Sequence, residues 1–207
     1  MNQREIARLA GVSTATVSRV INNDRRVTEQ TRKRVQQAID ENGYVQNMNA
    51  RNLRVSHSHA IGFLISNFAN PFFLDVYCGF EPVLKKLGYN IIIGNTNEDI
   101  GQEKDAIDLM LQYRVDGIVA SFVGPNSQTL GKITRLGTEV LQLDRKLSHF
   151  SSDCVVIDNI AGAMQQVEYL AKLGHTRIAL IKGTDFDSNG IDRLRGFHMG
   201  MEKMGLP

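Results

Sequence analysis

From residue 60 onward one pattern recurs: a short apolar run rich in β-branched residues, then a longer stretch with apolar side chains at helical spacing. The runs are 60–66, 89–94 with Ile91-Ile-Ile93, 115–121, 139–143 and 154–157. Between them, 72–87 reads as a helix stopped by Gly88, and 102–113 carries Ala106, Ile107, Met110 and Leu111 on one face. Residues 127–136 and 159–173 continue the alternation. Buried strands alternating with amphipathic helices demand a parallel sheet covered on both faces, so this part is expected to be a doubly wound α/β fold. Ligands of such sheets bind beyond the carboxyl ends of the strands. Those tips are 67–73, 95–98, 121–124 and Asp144-Arg145, and they combine amides, carboxylates, an Arg and a Phe pair. A polyol suits that mixture, because carboxylates and amides meet several hydroxyls while an aromatic face covers C–H surface.

The first 45 residues follow a different rule. Ile6, Leu9 and Ala10 form the stripe of one helix that Gly11 ends, and Ser13 caps a second whose stripe is Val17, Val20 and Ile21. Thr14, Ala15, Thr16, Ser18 and Arg19 are left outward or at the rim. Two short helices across a tight turn, the second presenting small polar groups and an Arg, suit the major groove of DNA. A third helix is expected over 28–42, with Val35, Ala38 and Ile39 inward and Arg32, Lys33 and Arg34 toward solvent, stopped by Gly43.

Charge supports that division. Residues 1–59 hold ten Arg or Lys against five Asp or Glu, a net of +5, while 60–207 hold fourteen against seventeen, a net of −3. A basic headpiece on a mildly acidic body is what phosphate neutralisation requires. No apolar run reaches the roughly eighteen residues of a membrane span, and the amino terminus is polar and charged, so the cytoplasm is the expected compartment. Cys78 and Cys154 are two isolated thiols, expected to be buried small hydrophobes rather than a disulfide framework. An enzyme on a nucleotide-binding sheet is disfavoured. Neither G-x-G-x-x-G nor G-x-x-x-x-G-K-[ST] occurs, the five His show no metal-ligand pattern, and no cofactor or metal is expected.

Nine segments in order carry a family resemblance: Ile6 through Asn22, Gly43-Tyr-Val-Gln-Asn47, Asn49-Ala-Arg-Asn-Leu53, Ile61-Gly62, Asn70-Pro-Phe-Phe73, Arg114-Val-Asp-Gly117, Asp158-Asn159, Leu173-Gly-His175 and Arg193-Leu-Arg-Gly-Phe197. The chain resembles the lactose/galactose repressor (LacI/GalR) family of bacterial transcriptional regulators. The resemblance implies an all-α helix-turn-helix headpiece (1–45), a hinge helix and linker (46–59), and an α/β doubly wound, periplasmic-binding-protein-like domain whose first subdomain spans 60–175. It implies DNA contacts at Ser13, Thr14, Ala15, Thr16, Ser18, Arg19 and Asn22, with Asn47, Ala50 and Leu53 in the hinge and Leu53 wedged into the minor groove. It places Phe68, Asn70, Phe72, Asn97, Asp144 and Arg193 around a small-molecule effector, a sugar or sugar derivative. The implied partners are a double-stranded operator and, in the full-length family, a second copy. A periplasmic sugar-binding protein shares the body but lacks the headpiece.

The family continues into a second α/β subdomain, of which 176–207 supplies an expected strand at 176–181 and a helix near 191–204. One strand and one helix cannot make a parallel sheet. The chain is therefore expected to be the amino-terminal part of a longer repressor, which leaves a second reading of a headpiece without working effector control.

Overall fold

The computed structural model describes residues 1–44, 57–124, 127–183 and 187–207, in two compact units, 1–56 and 57–207.

The first unit is three helices: α1 (Gln3–Leu9), α2 (Thr14–Ile21) and α3 (Glu29–Glu41). Each begins on a side chain that takes up free backbone N–H groups. Asn2 caps α1 in a reciprocal box with Glu5, Ser13 caps α2, and Thr28 caps α3. Gly11 at φ 60° makes the α1–α2 turn, a conformation that penalises any Cβ. Ile6, Ala7, Ala10, Val17, Val20, Val35 and Ala38 form the core, with Ile21, Ile39 and Tyr44 packed on it. Full burial of a residue such as Ile6, Val17 or Val35 contributes about 1.5–3 kcal/mol.

Two expectations fail here. Leu9 is 52% exposed, and Ala7 takes the inward place beside Ile6. Arg32 does not point to solvent; it donates to the carbonyls of Val20 (3.3 Å) and Asp24 (2.9 Å) and to Asn23 Oδ1 (3.3 Å). Carbonyl oxygens have two lone pairs, and the Val20 and Asp24 carbonyls, which also accept from the Asn23 and Val27 N–H groups, gain a second donor from α3.

The second unit is a five-stranded parallel sheet of order β2-β1-β3-β4-β5. Its elements in chain order are β1 (Ala60–Ile65), α4 (Pro71–Lys86), β2 (Asn90–Asn95), α5 (Ile100–Gln112), β3 (Gly117–Ala120), α6 (Ser127–Leu136), β4 (Glu139–Leu143), β5 (Asp153–Val155), α7 (Asn159–Lys172) and α8 (Ser188–Lys203). One face of the sheet packs Leu64, Ile118, Ala120 and Phe122 against Ile107 and Met110 of α5 and Leu130 and Ile133 of α6. The other packs Phe63, Ile65 and Leu143 against Phe73, Val76, Tyr77 and Phe80 of α4. Lys132 of α6 reaches Asp108 of α5 at 2.8 Å. The unit is tethered at its start by Asp116, which accepts from the N–H groups of Ser58 (2.7 Å) and His59 (3.1 Å).

α7 and α8 cross at very close range. A Cβ on Gly196 would sit 2.3 Å from the Ile160 carbonyl oxygen, and one on Gly200 would sit 2.8 Å from Val167 Cβ. Glycines four residues apart on one helix face let the two backbones approach.

The expected strand at 176–181 is absent: that segment forms no ladder, and Ile181 is 99% exposed. A strand exists only through its neighbour's hydrogen bonds, and this segment pairs with none of the described strands. Both cysteines are exposed rather than buried. Cys154 lies on β5, whose three residues all face solvent, and Cys78 lies on the outer face of α4. Among the described residues no helix is long and apolar enough to cross a membrane.

Candidate functional site

In the headpiece, α2 exposes residues at both ends. Val17 and Val20 anchor the helix inward, which leaves Thr14, Ala15 and Arg19 exposed and Thr16 and Ser18 half-buried. Ser13 Oγ accepts from the Thr16 N–H at 3.1 Å and shares a 2.9 Å hydrogen bond with the Thr16 hydroxyl. Those two residues hold the helix start, while Thr14, Ala15 and Arg19 carry no such duty. Asn22 closes α2 by donating from its side chain to the Ser18 carbonyl at 2.9 Å. Nearby, Arg26 chelates Asp24 and, by those hydrogen bonds, holds its carboxyl down to about 2. Asn47, Ala50 and Leu53 lie outside the described residues.

In the α/β unit, the sheet order reverses between β1 and β3, the place where open α/β sheets bind ligands. The strand registers align Asn95 with Ile65 across β2 and β1, and the N–H of Ser121, just past β3, bonds the Leu64 carbonyl at 2.9 Å. At the β1 tip, Phe68 is 61% exposed. Asn70 caps α4 by accepting from the Phe72 N–H at 3.1 Å, and Phe72 packs edge-on to Phe73. At the β2 tip, Asn97 accepts from Asn95 at 2.6 Å and donates to Gln102 at 2.8 Å.

Asp144 and Arg193 are joined through two buried amides. Asn189 Nδ2 donates to Asp144 Oδ1 (2.9 Å), Asn159 Nδ2 donates to Asn189 Oδ1 (3.2 Å), and Arg193 Nε donates to Asn159 Oδ1 (2.8 Å). Amides suit such a relay because each both donates and accepts. Sequence reasoning left out Asn159 and Asn189. Asn159 stands in a quoted segment, but nothing in its spacing shows that it meets α8.

Glu98 and Arg145, both within the strand tips read from the sequence, pair with each other, which their spacing did not show. The Arg145 guanidinium grips Glu98 with two parallel bonds of 2.7 and 2.8 Å, joining the β2 and β4 tips. That bond pulls the Glu98 carboxyl below its ordinary range. Burial works to lower Arg145, but Glu98, Asp187 and Asp144 outweigh it and hold it more firmly charged. Asn97, Glu98 and Asp144 all adopt left-handed backbone conformations, at φ 49°, 59° and 65°. Such conformations cost free energy in residues with a Cβ and cluster at functional sites.

A third missed residue lies behind the β3 tip. Glu103 of α5 is completely buried and accepts from the Val123 N–H at 2.6 Å, and its desolvation pushes the carboxyl up to about 7. The Ser121 hydroxyl, Asn95 Oδ1, Arg145 Nε and Glu103 Oε1 are buried at this end of the sheet without a hydrogen-bond partner among the described residues. A depression of about 490 Å³ lies at the amino-terminal end of β4, lined by Thr138, Glu139, Phe150 and Asp153, away from the tips.

Residues 58–207 match the periplasmic binding proteins and sugar binding domain of the LacI family, and residues 3–47 match bacterial regulatory proteins, lacI family. The chain belongs to the LacI family. It is 33% identical over 204 residues to the ribose operon repressor of Escherichia coli, covering 98% of this chain and 62% of that protein. It is 30% identical over 206 residues to the HTH-type transcriptional regulator DegA of Bacillus subtilis, covering 98% of the chain and 61% of that regulator. The chain thus spans about three fifths of the length of these curated relatives. Among solved structures it resembles the Lac repressor dimer bound to operator and the anti-inducer ONPF, with a TM-score of 0.80, 25% identity, and coverage of 100% of this chain and 63% of that one.

Proposed function

We propose that this LacI-family chain is the DNA-reading and effector-sensing part of a transcriptional repressor that acts in the cytoplasm as a homodimer on a double-stranded operator. The observation that carries the reading is the exposure of Thr14 and Ala15 in the first turn and of Arg19 in the last turn of a helix anchored by Val17 and Val20. Thr14 and Ala15 offer short contacts, a hydroxyl and a methyl, so Arg19 supplies the long reach to guanine or phosphate. Its loss is expected to cost about 1–3 kcal/mol and to relax preference at one base position. Fluorescence anisotropy of Arg19→Ala on an operator and on single-base variants tests this; unchanged affinity and preference refute it. In the hinge, Leu53 is assigned to the minor groove. The bend angle of operator DNA with Leu53→Ala, compared with wild type, tests that role, and equal angles reject it.

The effector is a small sugar or sugar derivative held at the strand tips by Asp144, Arg193, Asn97, Asn70, Phe68 and Phe72. Supporting this are the buried relay that fixes Asp144 and Arg193 and the unpaired polar atoms at the carboxyl end of the sheet. A ligand that prefers one arrangement of the sensor shifts operator affinity by its differential binding.

A further inference from the structure

We infer that the strand-tip site is built for an uncharged, hydroxyl-rich effector and discriminates against phosphorylated or carboxylated ones; the inference rests on the effector reading above. The pairing of charge at the tips carries it.

The charge is already spoken for. Arg145 is the cation nearest the β4 tip, with only 16% of its side chain exposed. Glu98 takes two of its N–H groups in a bidentate bridge, Asp144 Oδ2 lies 3.9 Å from its Nε, and Asp187 adds to the negative field around it. The second cation, Arg193, gives its Nε to the neutral amide of Asn159. Glu98, Asp144 and Asp187 thus surround the Arg145 guanidinium, with Glu103 buried behind. A phosphate monoester brings a further charge of about −1.5 to −2 at neutral pH. To reach Arg145 it must expel Glu98 from the fork, and to reach Arg193 it must enter the same negative field.

The assay is calorimetric titration of the full-length gene product with matched pairs: D-ribose and ribose 5-phosphate, D-fructose and fructose 1-phosphate, D-glucose with glucose 6-phosphate and gluconate. The expected result is that at least one neutral sugar binds and its charged counterpart binds at least about tenfold more weakly, a modest share of what one misplaced charge near others of its sign costs. In Glu98→Gln, which frees Arg145 and removes one negative charge, that ratio is expected to shrink about tenfold. A charged member binding as tightly as its neutral parent overturns the inference and leaves the effector reading standing, as does a ratio untouched by Glu98→Gln. If no sugar, charged or neutral, binds, the effector reading itself falls.

Discussion

Replacing Glu103 by Gln isolates the cost of burying one carboxylate beneath the β3 tip. In the folded protein desolvation raises this carboxyl from its ordinary 4.5 to about 7, while the Val123 N–H and the more distant Arg145 pull the other way. The folded state therefore holds this proton more tightly than the unfolded chain does. Between pH 4.5 and 7 the unfolded chain has released a proton that the native state retains, so stability declines as pH rises through that window and levels off above it. The full displacement corresponds to about 3 kcal/mol, of which roughly 1 kcal/mol is already lost at pH 5. Gln has nearly the same shape, keeps an oxygen for the Val123 N–H and cannot ionise. Urea denaturation of wild type and Glu103→Gln, followed by far-UV circular dichroism from pH 5 to pH 8, reads the difference. Other shifted carboxyls, such as Glu98 and Asp108, are common to both proteins and cancel. The variant is expected to lie within about 1 kcal/mol of wild type at pH 5 and to exceed it by about 2–3 kcal/mol at pH 8. A gap that is the same at both pH values, or that favours wild type at pH 8, would refute the reasoning.

Two further substitutions test the packing of each unit. Arg32→Ala strips the guanidinium from the Val20 and Asp24 carbonyls and is expected to destabilise the headpiece by about 1–3 kcal/mol, read as faster amide exchange in α2; unchanged exchange rates contradict it. Gly196→Ala drives a methyl into the Ile160 carbonyl and is expected to cost about 1–3 kcal/mol or more as α7 and α8 are forced apart. A melting temperature equal to that of wild type would show that the helices do not cross this closely.

What was legible in the sequence is what local chemistry determines. Ser13 and Thr28 announce helix starts because a hydroxyl before an amphipathic stripe satisfies orphan N–H groups, and both cap helices here. The alternation from residue 60 announced the parallel sheet because buried strands and covering helices differ in period. The failures occur where a side chain's partner lies far along the chain. Arg32 occupies an outward position on its own helix but reaches back to carbonyls of another. Asn159 and Asn189 are thirty residues apart and meet only because Gly196 and Gly200 let their helices close. Glu103 looks like a solvated acid near a helix start, and only the fold reveals that Val123 returns over it. The segment 176–181 has the composition of a strand, and composition cannot supply the neighbour that a strand requires.

If the basic headpiece reads duplex DNA through α2, binding must depend on both salt and sequence. The most direct test is an anisotropy titration of the full-length gene product against operator-containing duplex and a scrambled duplex, at a series of salt concentrations between about 50 and 200 mM, the range over which counterion release is pronounced. Affinity is expected to fall steeply and linearly on logarithmic axes with salt for both duplexes, with the operator bound at least about a thousandfold more tightly throughout. Affinity that does not respond to salt, or that is equal for operator and scrambled duplex, would contradict it.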